Sequence, residues 1–187
     1  MKQLLTAQPT RVQLGAGVLV TGIRPEQLRS ETVLRAALAE ALTSGEGVLG
    51  LTGTGSFQCV PRLISPEGSD RTPNAAELVC GGWRVCLQGV AREFTPGSLR
   101  LLLNAPSAEG TVCSPGVPRA LPLLCWVGDT TDGLTVIALR EAVNTAGMQL
   151  TLRETGAGSL AFCFETFAAD PEDEAAPCLL FFPEERT

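Results

Sequence analysis

The sequence predicts a mainly β fold of the α+β kind: a β-sandwich or partly closed β-barrel flanked by one or two α-helices. Two observations carry this expectation. The last third alternates with period two, in Met148-Gln149-Leu150-Thr151-Leu152-Arg153 and again in Leu160-Ala161-Phe162-Cys163-Phe164-Glu165-Thr166, and the Gly-rich turn Thr155-Gly156-Ala157-Gly158 lies between them. Alternation on both sides of such a turn marks a β-hairpin with one buried face and one solvated or partner-facing side. Helical spacing of apolar residues occurs over only two stretches, 25–44 and 95–103.

Residues 10–22 read as the first strand, because Val12, Leu14, Ala16, Val18 and Val20 recur with period two. Gly15 and Gly17 within it mark a bulge or a close backbone approach. Residues 25–44 are the principal helix: Leu34, Ala37, Leu38, Ala41 and Leu42 share a face, Ser30 is placed to cap it, Glu31 suits the first turn, and Gly45 stops it. Val48-Leu49-Gly50-Leu51 restarts as a strand and passes through Thr52-Gly53-Thr54-Gly55 into Ser56-Phe57-Gln58-Cys59-Val60. Residues 61–79 hold three prolines and have no clean period, which predicts a long loop or a loosely formed hairpin.

Trp83-Arg84-Val85-Cys86-Leu87-Gln88-Gly89-Val90 reads as a strand. Thr95 as N-cap and Pro96 at the first helical position open a short helix, with Leu99, Leu102 and Leu103 on its buried side. A second long loop covers 105–122. Leu123-Leu124-Cys125-Trp126-Val127 is a strand, residues 128–133 turn the chain back, and 134–139 return; residues 140–144 fit a strand extension and a helical turn equally. The closing hairpin follows, with Leu150 and Phe162 expected on its buried face. An acidic loop, Asp170-Pro171-Glu172-Asp173-Glu174, then leads to a last strand, Cys178-Leu179-Leu180-Phe181-Phe182.

The chain has 187 residues, which fits one domain, 1–187. A fold of this size removes roughly 70% of its unfolded surface from water and needs no covalent staple. Hydrophobic residues make up 44% and charged ones 18%, too apolar for disorder and sparsely charged for a solitary soluble monomer. The net charge of −6 and the single lysine, Lys2, argue against a surface that grips nucleic acid. Seven cysteines, an odd number without C-x-x-C spacing, point to free thiols packed as small hydrophobes in a reducing compartment. No signal peptide or membrane-length apolar run is visible.

The chain contains no histidine, which removes the usual general base, the commonest metal ligand and every Ser-His or Cys-His dyad. No cysteines stand in the close pairs of a four-thiolate zinc site. Gly50-Leu51-Thr52-Gly53-Thr54-Gly55 lacks the Lys and Ser or Thr of a phosphate loop, and a strand follows it, so its glycines read as a kink. The acidic loop at 170–174 lacks the ligand spacing of an EF-hand. The expectation is a non-enzyme with no catalytic, cofactor-binding or metal residue; a carboxylate-only enzyme is the chemical alternative, and nothing singles out its pair.

Several short motifs recur in one order: Gln13-Leu14-Gly15-Ala16-Gly17, Gly53-Thr54-Gly55-Ser56-Phe57 leading to Pro61-Arg62, Trp83, Glu93-Phe94-Thr95-Pro96 with Leu99 and Leu101, Trp126-Val127-Gly128, Leu139-Arg140-Glu141-Ala142-Val143-Asn144-Thr145 with Gly147, and Phe181-Phe182-Pro183-Glu184. In this order and spacing the chain resembles the major tail tube proteins of tailed phages and phage-tail-like particles, in the form common in prophages of Gram-positive bacteria. It departs from them after Pro61-Arg62, where Ser65-Pro66-Glu67-Gly68 runs into a Pro-rich stretch, and in the loop after the short helix.

The resemblance implies a structural subunit without cofactors, assembled in the bacterial cytoplasm into the tail of a virion or tail-like particle. Hexameric rings would stack into a hollow tube through which DNA passes at ejection without specific binding, with sheath, tape measure and baseplate proteins as further partners. It makes the loop residues Ser65, Glu67, Gly68, Asp70, Arg71 and Asn74 candidates for contact between subunits, and an acidic channel wall would let phosphate slide past. The alternatives are the tube of a type VI or other contractile injection system and, in a different class, a monomeric β-barrel that binds a small apolar ligand.

Overall fold

The computed structural model describes residues 16–45, 47–64, 78–92, 96–103, 116–130, 133–152, 158–168 and 176–181. Within them the chain runs β1 (Gly17–Thr21), α1 (Glu31–Ser44), β2 (Val48–Ile64), β3 (Val79–Ala91), α2 (Pro96–Leu102), β4 (Leu121–Thr130), β5 (Gly133–Asn144), β6 (Gln149–Thr151), β7 (Ser159–Ala168) and β8 (Cys178–Phe181). The strands form one antiparallel sheet in the order β6-β7-β3-β2-β1-β4-β5-β8, and β5 also pairs with β7. That last pairing bends β1, β2, β3, β7, β5 and β4 into a ring. The closure is narrow: among the described residues two ladder pairs, Val143↔Glu165 and Asn144↔Phe164, make it, extended by the Thr145 N–H, which donates to Cys163 O at 2.8 Å. The fold is therefore the partly closed barrel with flanking helices that the sequence predicts.

Two apolar cores lie on opposite faces of β1, β4 and β5. Inside the ring, Leu19, Leu49, Val85, Leu87, Leu124, Trp126, Ile137, Leu139, Leu160, Phe162 and Phe164 pack together, with Leu102 of α2 among them and Leu99 and Leu101 against them. Outside it, Leu34 and Leu38 of α1 cover Val20, Cys125, Val127, Val136 and Ala138. Strands buried on both faces read as continuous apolar runs, which is why Leu123-Leu124-Cys125-Trp126-Val127 shows no alternation. β3 and β7, with no helix among the described residues over their outer face, alternate.

The principal helix divides in two. Pro25–Arg29 is a 3₁₀ turn, and Ser30, at φ −142° and ψ 129°, interrupts it before α1 begins at Glu31. Ser30 caps through its carbonyl, which accepts the Leu34 N–H at 2.9 Å, and its side chain makes no cap bond. Gly45, at φ 70°, ends α1 and donates its N–H to Ala41 O at 2.8 Å, a left-handed stop that suits a residue without Cβ.

Other boundaries shift too. Of the first strand, 17–21 are strand and 10–15 lie outside the described residues. β2 runs unbroken to Ile64 and β3 begins at Val79, so the expected loop at 61–79 surrenders both ends to the sheet. Strand β4 starts at Leu121, inside the expected loop at 105–122, and β5 extends through residues 140–144. Strand β6 is only three residues long and exposed throughout, so Leu150, expected inside, is 40% exposed while Phe162 is 4%. None of the described helices is long and apolar enough to cross a membrane, which leaves strands aside.

Trp126 explains two glycines. Its indole lies against Gly17 and Gly128, where a Cβ on either would collide with the ring. Its Nε1–H donates to Thr52 Oγ1 at 2.9 Å, and that hydroxyl donates to Gly17 O at 2.8 Å and accepts the Gly17 N–H at 3.2 Å. The buried indole N–H is thus satisfied, and β1, β2 and β4 are clamped at one point. Gly128→Ala is expected to force the ring aside and cost about 1–3 kcal/mol of stability in urea melts; an unchanged midpoint would mean the ring has room to move.

Glu141 is the described non-glycine residue with positive φ, 48°. It sits between residues 136–139 of β5, which pair with β8, and residues 143–144, which pair with β7. The bend at Glu141 hands the strand from one neighbour to the other and so closes the barrel. An L-residue there stores about 1 kcal/mol or more. Glu141→Gly is expected to raise the thermal midpoint, and a drop would show that the side chain contributes more than the strain costs.

Candidate assembly surface

The longest hairpin, β2–β3, divides into two regions. Its base is covered: residues 48–52 of β2 pair with β1. From Gly55 to Ile64, β2 pairs with β3 alone, and no other strand among the described residues lies along its second edge. A strand edge with free N–H and C=O groups is a template for another strand. Pro61 is compatible with such an edge, since it has no N–H to donate.

This distal ribbon is also apolar on its surface. Val60 is 52% exposed, Leu63 54%, Ile64 46%, Val79 62% and Trp83 39%. Every residue of β2 from 58 to 64 is exposed, so neither face of the strand meets a core there. A two-stranded ribbon is marginal in water without a third layer or strand. A cluster of exposed aliphatic and aromatic side chains marks a contact site.

The residues expected to meet neighbours, Ser65, Glu67, Gly68, Asp70, Arg71 and Asn74, lie outside the described residues. They connect the two ends of this ribbon. The apolar residues flanking them were not singled out by the sequence, because Pro61 and Pro66 disguise the strand that leads into the loop.

On the outer face of β3 and β7 stands a polar cluster. Register places Cys86 opposite Glu165 and Gln88 opposite Cys163. Arg84 donates to Glu165 Oε1 at 2.6 Å, and this contact with the carboxylate raises the guanidinium above its ordinary value. The Cys86 and Cys163 sulfurs lie 3.4 Å apart, and Cys163 Sγ lies 3.9 Å from Glu165 Oε1. Burial, then the Cys163 thiol, pushes Cys86 up to about 11.

The cysteines are less uniformly buried than the sequence suggests. Cys125 is fully buried under α1, and desolvation pushes it up to about 12. Cys59 is exposed, while Cys80, Cys86, Cys163 and Cys178 are half-buried. Cys163 points away from Phe162 and Phe164, because alternate residues of a strand face opposite ways.

Strand β2 shifts register against β3 between Thr52 and Gly55. The glycine run is thus a kink within a strand. Beside it a pocket of about 370 Å³ opens, with Phe57, Leu87, Trp126 and Phe162 among its apolar lining and Arg92, Gln88 and the hydroxyl residues Thr54 and Ser56 among its polar groups. A carboxylate or other anionic head on an apolar body suits that combination.

No protein-family model matches the chain, and no curated protein matches it in sequence.

Proposed function

We propose that this chain is the structural subunit of a hollow tube: copies close into hexameric rings, and rings stack into the tail tube of a phage or tail-like particle, a conduit for DNA. The observation that carries this reading is the distal β2–β3 ribbon, which combines an edge unpaired among the described residues with exposed Val60, Leu63, Ile64, Val79 and Trp83. A second copy satisfies both needs at once, since a strand from it completes the hydrogen-bond ladder while its side chains cover the apolar surface. A contact between different surfaces that closes makes a ring, and repetition along the axis makes a filament. The motif resemblance and the lack of histidine favour a structural role over chemistry. The tube of a contractile injection system is built by the same logic; capsid and portal genes beside this one would favour a phage.

The internal closure through β5 and β7 gives each subunit a core of its own, and the ribbon beyond it is what assembly uses. Electron microscopy of the purified protein at high concentration, and of native particles, tests the reading. Hollow tubes are expected. Monomers in both, with no tube in the particles, would overturn it. The channel wall is expected to be acidic, and an arginine-lined lumen in the tube's map would refute that part.

The pocket beside Trp126 favours a second reading, a monomeric module that holds a small amphipathic anion. It predicts saturable binding by a stable monomer, weakened by Arg92→Ala.

A further inference from the structure

We propose that Cys86, Cys163 and Glu165 form a binding site for a thiophilic divalent cation, Zn²⁺ in the first instance, on the outer face of β3 and β7. One ligand atom from each residue falls within 4.8 Å of the others. The separations, 3.4 Å between the sulfurs and 3.9 Å from Cys163 Sγ to Glu165 Oε1, are close to the edges of a tetrahedron. Ligands at about 2.3 Å for sulfur and 2.0 Å for oxygen stand roughly 3.5–3.8 Å apart around tetrahedral zinc.

Three features beyond proximity point to a cation. Both sulfurs and the carboxylate project from two hydrogen-bonded strands, so the ladder holds the ligands in place before the ion arrives. Glu165 is 8% exposed, and Arg84 donates to its Oε1 at 2.6 Å, a hydrogen bond that orients the carboxylate beside the sulfurs as outer partners orient metal ligands. Charge also balances. Two thiolates and one carboxylate are neutralised by a divalent ion together with the Arg84 guanidinium, so the occupied site carries no net charge. Two sulfur donors select a soft or borderline ion over Mg²⁺ or Ca²⁺. With three protein ligands, the fourth position is left to water.

The spacing of cysteines along the chain gives no hint of this site. Cys86 and Cys163 are 77 residues apart, and strand pairing alone makes them neighbours. The site is independent of tube assembly, and its loss leaves that reading untouched.

Titration of the full-length, reduced protein with Co²⁺, a spectroscopic stand-in for Zn²⁺, tests the proposal. Cys59→Ser is used as background, because Cys59 also contacts the Cys178 thiol. The expected result is a sulfur-to-cobalt charge-transfer band that saturates at one ion per chain and is displaced by an equivalent of Zn²⁺. Cys86→Ser with Cys163→Ser is expected to abolish the band and weaken Zn²⁺ binding at least 100-fold. Glu165→Gln keeps both thiols and is expected to weaken binding about 10-fold and shift the d–d bands, which preserves the test if the double variant does not fold. No charge-transfer band in the parent, or the same band and stoichiometry in the variants that fold, overturns the proposal.

Discussion

Val60→Lys combined with Leu63→Lys is expected to abolish tube formation while the subunit stays folded. Both residues sit on the part of β2 that pairs only with β3, and both are more than half exposed, at 52% and 54%. In the isolated subunit their replacement touches no core, so the cost is within about 0.5 kcal/mol. In the proposed ring the same positions would be covered by the next copy. Two ammonium groups buried there without partners cost several kcal/mol, and lysine on an edge strand is a common natural block to strand addition. The experiment pairs a thermal melt with electron microscopy. An unchanged melt and no tubes is the expected outcome; tubes of normal length and abundance would show that the ribbon is not the contact.

Phe162→Asp is expected to unfold the subunit, whereas Leu150→Asp is expected to leave its stability within about 0.5 kcal/mol. The two residues belong to the same hairpin, and their sequence pattern places both on an apolar face. Phe162 lies inside the barrel, its ring 5.9 Å from that of Phe164, and only 4% of it is exposed. An aspartate there removes an aromatic side chain, worth about 3–5 kcal/mol on truncation, and buries a charge besides. Together these approach the whole stability of a typical domain, about 5–15 kcal/mol. Leu150 is 40% exposed on the three-residue strand β6. Urea melts followed by near-ultraviolet circular dichroism separate the two. Equal damage from both would mean that Leu150 is covered as well, and a stable Phe162→Asp would mean that the hairpin faces the other way.

The elements were legible where local chemistry and tertiary environment agree. Gly45 stops α1 because its left-handed backbone is a local need, visible in any context. Gly17 reads as a bulge or a close backbone approach, and what comes close to it is the Trp126 indole. Alternation in β3 and β7 is plain because only one face of each packs into an apolar core. Pro61, by contrast, argues for a loop yet stands in a strand, since an edge with no neighbour among the described residues asks nothing of its missing N–H. Ser30 splits the helix because the chain must turn to lay Leu28 and then Leu34 on the same outer core, a demand that no helical periodicity records.

Local pattern and composition were sufficient to specify a β-rich chain, its main helix and the lack of histidine-based chemistry, because each depends on near neighbours or on simple presence. Packing was needed to choose which residues meet. The bend at Glu141 that closes the ring, the exposed ribbon beyond β1, and the union of Cys86 with Cys163 and Glu165 all arise from strand register between segments far apart in the chain. Register is set by how whole faces bury against one another, so these features have no signature in any short stretch of residues.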